Sequence, residues 1–175
     1  MPKTTRVGLD NCLDLYEKLK FEGKRLQSDW HHYDFWNFAV TAWHLHNDWL
    51  DKDSSSRPRY STKKKSRTPQ SMSLVLNAVR DVANGSKHFH LDSKSEAKRV
   101  VNETHQPEVR NFYSYCFDKP VRGITIEKTY ITLFEIHSVV MGYFEWVFDD
   151  TISVDNFPEE VSKTLEYIFN SRQVS

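Results

Sequence analysis

The stretch DFWNFAVTAWHLHNDWL, from Asp34 to Leu50, carries the strongest structural signal in this chain of 175 residues. Apolar side chains recur around nearly its whole circumference, which is typical of a helix buried at the centre of a bundle. At steps of three and four residues, one polar stripe remains, formed by Asn37, Thr41, His44, Asp48 and Asp51. The segment therefore predicts a central helix with a single polar face.

Four further segments have apolar residues at helical spacing. They run from Asp10 to about Ser28, from Pro69 to about Gly85, from about Thr132 to Asp149, and from Glu159 to about Ser171. Asp10 is predicted to cap the first of them. Pro69 and Pro158 suit first turns, and Gly85 suits a helix end because it tolerates left-handed geometry.

Alternating polar and apolar residues predict strands in the second half of the chain. The alternation occurs in HFHLD (88–92), NFYSYCF (111–117) and GITIEKTYI (123–131). Short helices joined by brief links bury their apolar stripes most simply as a bundle. The sequence thus predicts a mainly α-helical protein, a bundle of about five helices with a small antiparallel β-insert, forming a single domain over residues 1–175.

Composition excludes several classes of protein. The chain has 24 Lys and Arg against 24 Asp and Glu, so no overall field attracts nucleic acid or an anionic membrane. Cys12 and Cys116 are too few for a disulfide framework or a zinc finger. Nucleotide-loop, zincin and serine-hydrolase motifs are absent, as are long apolar runs and a signal-like N-terminus. We expect a cytoplasmic protein without membrane contact.

A basic segment follows the central helix and is predicted to be an exposed loop over residues 52–68. Seven Lys and Arg and one Asp lie in KDSSSRPRYSTKKKSR (52–67). Lys63, Lys64, Lys65 and Arg67 could contact a phosphate backbone while Tyr60 stacks on a base. Alternatively, this block could attract the acidic block from Glu135 to Glu160, which has seven acids and no Lys or Arg, within the chain or across a dimer.

Three polar residues near the end of the third helix form the candidate catalytic group. Arg80, Asn84 and His88 are spaced four residues apart, and Lys87 is adjacent. Arg offers a planar fork for phosphate and His titrates near neutral pH, so the group suits metal-free cleavage of a phosphodiester. A structural alternative is that Arg80 pairs with an acid such as Asp48 while Asn84 caps the helix.

A helical bundle with Arg, Asn and His at the end of an inner helix resembles the HEPN superfamily, which includes ribonuclease toxins and phage-defence effectors. The resemblance implies RNA cleavage by attack of the 2′-hydroxyl, without metal or other cofactor, at a site formed across a homodimer. Arg80 would bind the phosphate, His88 would transfer the proton, and Asn84 would assist. In that family fewer residues separate Arg from His than the seven between Arg80 and His88.

Two other functions remain open. One is a non-enzymatic interaction module, anti-defence or regulatory, that binds a protein or nucleic-acid partner. The other is a metal-binding bundle, since His44 and Asp48 are separated by one helical turn, but inward-facing Glu residues are lacking and no metal is predicted. The tryptophans at 30, 36, 43 and 49 are expected in the core because they lie in apolar surroundings.

Overall fold

The computed structural model describes residues 8–53, 60, 67–85, 98–105, 122–153 and 155–171. Those ranges contain five long helices and a three-stranded antiparallel sheet, which confirms the predicted bundle with a β-insert. The helices are α1 (Cys12–Asp29), α2 (His32–His44), α3 (Gln70–Gly85), α4 (Leu133–Phe148) and α5 (Glu159–Ser171). The strands are β1 (Val101–His105), β2 (Gly123–Ile126) and β3 (Thr129–Thr132). No helix in these ranges is long and apolar enough to cross a membrane.

The cap of α1 is Asn11, so the prediction of Asp10 was wrong by one residue. The Asn11 side chain accepts a hydrogen bond from the backbone N–H of Asp14 at 3.0 Å, and the Asp14 carboxylate accepts one from the Asn11 N–H at 3.2 Å. This reciprocal pair satisfies two N–H groups that the first helical turn leaves without partners. The helix ends at Trp30, whose backbone is left-handed with a φ of 56°.

Helix α2 is the predicted central helix, packed against both α1 and α3. It continues through a π-helical turn, Leu45–Trp49, and a short α-turn, Leu50–Lys52. Phe38 and the two alanines of α2 are fully buried, and burial of each large apolar side chain contributes roughly 1.5–3 kcal/mol. Part of the polar stripe is also buried, since Thr41 faces α1 and accepts a hydrogen bond from Lys18 at 2.6 Å.

The sheet has the order β1-β2-β3, with antiparallel pairing throughout. The stretch Gly123–Ile131, whose alternation predicts strand, forms two strands joined by a turn at Glu127 and Lys128. Glu127 adopts a left-handed φ of 55°, which allows the chain to reverse there. Strand β1 was not predicted, and the predicted strands at 88–92 and 111–117 lie outside the described residues.

Gly23 allows α1 to approach α4 closely. A Cβ at this position would lie 2.8 Å from Nε2 of His137 and 3.6 Å from the Phe38 ring. We predict that Gly23→Ala lowers the free energy of unfolding by about 1 kcal/mol, because overpacking costs about 1–3 kcal/mol and the gain in helix propensity offsets about 1 kcal/mol of it. Urea denaturation measures this change.

Gly85→Ala is the matched control, because a Cβ at Gly85 would meet nothing within 4 Å. We expect this variant to be at least as stable as the unmodified protein. A Gly23→Ala variant of unchanged stability would contradict the close packing of α1 on α4.

Candidate functional site

A cleft lies between the first turns of α2, the last turn of α3 and the sheet. Its volume is about 320 Å³. Buried or partly buried apolar side chains line its interior, namely Phe35, Val82, Val101, Ile124 and Leu133. Polar and aromatic side chains complete the lining, among them His32, Trp36, Arg99, Thr104 and Arg122. An apolar interior with a few polar groups is typical of a small-ligand site.

Two arginines supply positive charge to the cleft. Arg99 is exposed, and its guanidinium makes no hydrogen bond or ion pair with another described residue. Arg122 donates one hydrogen bond from Nη1 to the carbonyl oxygen of Trp30 at 2.8 Å, so its position is tied to the end of α1. Its remaining donors are unused among the described residues. The cleft therefore has donors suited to an anion.

Trp36 presents an aromatic ring at the cleft. Its side chain is 41% exposed, so the expectation that all four tryptophans lie in the core was wrong for this one. The indole Nε1 donates a hydrogen bond to the carbonyl oxygen of Val82 at 2.9 Å. Because that bond holds the indole against α3, the exposed ring is a preorganised surface for stacking.

His32 contributes a polar atom without a partner. Its Nδ1 is buried and makes no hydrogen bond with any described residue. The ring stacks on His31 at 4.3 Å and meets the exposed Tyr33 ring at 4.1 Å, measured between centroids. A buried unsatisfied nitrogen is uncommon in folded proteins and is often found where a ligand or water completes the structure.

The carboxylate of Asp81 also lines the cleft, but its charge is compensated. Oδ1 accepts two hydrogen bonds from Arg80, at 3.1 Å from Nε and 2.8 Å from Nη2. Oδ2 accepts from the backbone N–H groups of Val100 and Val101, at 2.6 Å and 3.2 Å. Asp81 therefore connects α3 to the start of β1 and does not oppose an anionic ligand with an unpaired charge.

Arg80, the predicted phosphate-binding residue, is held by neighbours. Besides its pair with Asp81, it donates from Nη1 to Asn77 at 3.0 Å and from Nη2 to the carbonyl oxygen of Lys98. All three guanidinium nitrogens are engaged, and the side chain is 19% exposed. The alternative prediction, that Arg80 pairs with an acid, is confirmed. The acid is Asp81 and not Asp48, the example that the sequence suggested.

Of the other residues predicted for the site, only some lie within the described part of the chain. Asn84 is partly buried near the end of α3 and makes no side-chain hydrogen bond with a described residue. Arg67 forms a long ion pair of 3.9 Å with the exposed Asp155, which links the basic and acidic blocks weakly. Outside the described residues lie His88, Lys87, Lys63, Lys64 and Lys65.

His44 and Asp48 contact each other, with 3.1 Å between Nδ1 and Oδ2. Lys52 adds an ion pair of 3.5 Å. Burial alone would raise the pKa of Asp48, but the His44 hydrogen bond and the Lys52 charge outweigh it and lower the pKa. No group of three His, Cys, Asp or Glu side chains suited to a metal occurs among the described residues.

His46, two residues after His44, points into the core. Its Nδ1 lies 3.2 Å from the Tyr143 hydroxyl, and its carbonyl oxygen accepts a hydrogen bond from Tyr60 at 3.0 Å. Burial raises the pKa of both tyrosines, so they stay protonated donors. Tyr60 is 1% exposed, and this contradicts its predicted role in stacking on a base.

Sequence reasoning missed four cleft residues, His32, Trp36, Arg99 and Arg122. Trp36 was predicted to lie in the core, and His32, Arg99 and Arg122 lie in segments without a recognisable motif. Only the fold brings these four residues together. His32 and Trp36 lie in the first two turns of α2, Arg99 precedes β1, and Arg122 precedes β2. A local pattern carries no signal for such a grouping.

No protein-family model, curated protein or solved structure matches this chain. Evidence for function therefore comes from the geometry of the site.

We predict that Asp81→Ala lowers the free energy of unfolding by about 3 kcal/mol, because it removes the carboxylate that pairs with the partly buried Arg80 and leaves two backbone N–H groups without their acceptor. Chemical denaturation measures the loss. Glu166→Ala, at an exposed acid of α5, is the control and should change stability by at most about 0.5 kcal/mol. Equal effects in the two variants would contradict the connecting role of Asp81.

Proposed function

We propose that the cleft binds single-stranded RNA, with a base on Trp36 and neighbouring phosphates on Arg99 and Arg122. The observation that carries this proposal is the juxtaposition of an anchored, exposed indole with two arginines that have unused donors. Stacking accepts any base, and guanidinium groups bind phosphate oxygens in a planar fork. Binding of this kind therefore discriminates little between RNA sequences.

The dimensions of the cleft favour an unpaired nucleotide. A volume of about 320 Å³ is at the small end of the ~300–1,000 Å³ range of ligand pockets. A base within a duplex has both faces covered by its neighbours, whereas a base in a single strand can turn out and stack on an aromatic side chain. We therefore infer that the ligand is a single strand or a loop of RNA.

Local charge supports the same ligand although the whole chain is neutral. Arg99 and Arg122 are unopposed at the cleft, since the carboxylate of Asp81 is already paired with Arg80. The basic segment at 52–68 would add longer-range attraction. Each phosphate of a single strand that the protein neutralises makes the slope of log affinity against log salt more negative by about 0.7.

We predict that Trp36→Leu weakens binding of a short fluorescein-labelled RNA of mixed sequence about tenfold, because one stacked base contributes about 1–3 kcal/mol. Arg99→Gln should weaken binding and reduce the salt slope by about 0.7. Fluorescence anisotropy at several salt concentrations measures both effects.

Lys128→Gln is the matched control, because Lys128 is an exposed cation in the turn between β2 and β3 and does not line the cleft. It should leave affinity nearly unchanged. If Lys128→Gln weakens binding as much as Arg99→Gln, the contact is diffuse and the cleft is not the site. If the protein binds no RNA, a non-enzymatic module with a protein partner becomes the better proposal.

A second candidate function is RNA cleavage of the HEPN type. It is favoured by one observation, namely that Gly85 at the end of α3 lines the cleft, and the chain continues from there through Ser86 and Lys87 to His88. In this proposal His88 acts as the acid and base, and Asn84 orients the reacting groups. Arg80 would exchange its contact with the Lys98 carbonyl for a phosphate oxygen.

This candidate includes the further properties that the resemblance implies. The reaction would be metal-independent attack of the 2′-oxygen on the adjacent phosphorus, which forms a 2′,3′-cyclic phosphate and breaks the bond from phosphorus to the 5′-oxygen of the next nucleotide. His88 would take the proton of the 2′-hydroxyl and return a proton to that 5′-oxygen. The protein would be a cytoplasmic homodimer of a toxin or phage-defence type. No cofactor enters the reaction. In this candidate His44 and Asp48 form a supporting polar stripe, in which they pair with each other and with Lys52.

We predict that the purified protein cleaves RNA in the presence of EDTA and that His88→Ala abolishes cleavage while RNA affinity stays within about twofold, since the proton transfer alone is removed. His90→Ala is the control and should remain active. Gel analysis of labelled RNA measures cleavage. Retained activity in His88→Ala would exclude this role, and binding without cleavage by the unmodified protein would leave RNA binding as the function.

A further inference from the structure

A cluster of aromatic rings borders the cleft at the start of α2. It consists of His31, His32 and Tyr33, which precede Trp36 in the chain. His32 lines the cleft together with Trp36, whereas Tyr33 lies outside the lining and is 63% exposed. The cluster therefore extends the aromatic surface of the cleft outward to solvent.

The ring of Tyr33 contacts both histidines. Its centroid lies 4.1 Å from that of His32 and 4.8 Å from that of His31, and each pair of ring planes is inclined by 62°. The two imidazoles stack on each other, with 28° between their planes. Edge-to-face contacts favour particular orientations of a ring. The phenol ring is thus held by its neighbours although most of the residue is exposed.

Hydrogen bonds fix the backbone that carries Tyr33. His31 is the N-cap of α2, and its Nδ1 accepts a hydrogen bond from the backbone N–H of Tyr33 at 3.3 Å. The backbone N–H of His31 donates in turn to Oδ1 of Asp29 at 2.9 Å. Since side chain and backbone are both held, binding of a ligand on Tyr33 requires little further ordering of the protein.

Tyr33 and Trp36 are neighbours on the surface of α2. They are three residues apart, a spacing that places Cβ atoms about 5–6 Å from each other on a helix. Three residues also correspond to a rotation that leaves the two side chains about 60° apart around the helix axis. Both residues are exposed. Each ring can therefore present a face of its own to solvent, one beside the other.

The acids nearest to Tyr33 in sequence already have partners. Asp34 forms an ion pair with Arg25 at 2.6 Å, and its side chain is 17% exposed. Asp29 accepts the hydrogen bond from His31. The hydroxyl of Tyr33 makes no hydrogen bond with a described residue. The negative charge near Tyr33 is thus partly compensated, and its ring is open to an uncharged aromatic group such as a base.

We propose that Tyr33 stacks a second base beside the base on Trp36, so that the smallest RNA that fills the site is a dinucleotide. This proposal rests on the proposed binding of single-stranded RNA in the cleft. Successive nucleotides of a helical strand advance by about 3.4 Å, and an unstacked strand is more extended. Consecutive bases of one strand can therefore reach two neighbouring rings, as aromatic side chains do in other proteins that bind single strands.

Two small ligands separate the second base from the second phosphate. The dinucleotide pApA has two bases and two phosphates, whereas adenosine 3′,5′-bisphosphate, pAp, has two phosphates and one base. Since pApA is no more negatively charged than pAp, tighter binding of pApA comes from the second nucleoside. Isothermal titration calorimetry with the full chain measures both affinities, and we expect pApA to bind about tenfold more tightly than pAp.

Substitutions at the two rings assign the bases. Tyr33→Leu should weaken binding of pApA about tenfold and change the affinity for pAp by less than about twofold, because only the second base loses its platform. Trp36→Leu should weaken binding of both ligands about tenfold. Tyr33→Phe keeps the ring and should bind pApA as the unmodified protein does. Tyr167→Leu, at another exposed tyrosine that does not line the cleft, is the matched control and should bind both ligands normally.

The outcomes distinguish this proposal from the proposed function. If pApA binds no more tightly than pAp, or if Tyr33→Leu binds pApA normally, the second base does not stack on Tyr33, although RNA binding on Trp36 stands. Equal losses in Tyr33→Leu and Tyr33→Phe, or in Tyr33→Leu and Tyr167→Leu, would also overturn the stacking role. If Trp36→Leu leaves the affinity for pAp unchanged, the cleft is not the RNA site and both proposals are wrong.

Discussion

The buried carboxylate of Asp81 connects the helical layer to the sheet, and the cleft depends on this connection. One oxygen binds Arg80 of α3, and the other binds the two backbone N–H groups at the start of β1. A buried carboxylate is tolerated only when its hydrogen bonds are satisfied, so helix and strand are held together as a unit. Since α3 packs on α2 and β1 pairs with β2, the distance between α2 and the sheet follows from this contact.

Charge acts locally in this protein because the total is zero. Arg99 and Arg122 provide donors at the cleft, where the carboxylate of Asp81 is already paired with Arg80. At physiological ionic strength, the field of an exposed charge decays over about 8–10 Å. The cleft is therefore expected to select its ligand by short-range contacts.

The π-helical turn after α2 gives neighbouring histidines different environments. One extra residue per turn changes the direction in which the following side chains point. His44 remains at the surface beside Asp48, whereas His46 is buried with the hydroxyls of Tyr60 and Tyr143. The central helix thereby supplies the hydrogen-bond acceptor that the buried hydroxyl of Tyr60 needs.

The sequence by itself determined the helices, because apolar periodicity and turn residues act within one segment. Five helices, an end at Gly85 and a start after Pro158 follow from such local patterns. Strand β1 was missed since its five residues alternate weakly and are stabilised by pairing with a distant strand.

Only the tertiary structure decided which polar groups meet. The sequence did not predict that packing pairs Arg80 with Asp81 or that it brings Arg99, Arg122 and Trp36 to one cleft. Exposure of Trp36 and burial of Tyr60 were likewise unpredictable from their neighbours in the chain. The physical reason is that helix formation is a property of adjacent residues, whereas a binding site is a set of distances between segments that are far apart in sequence.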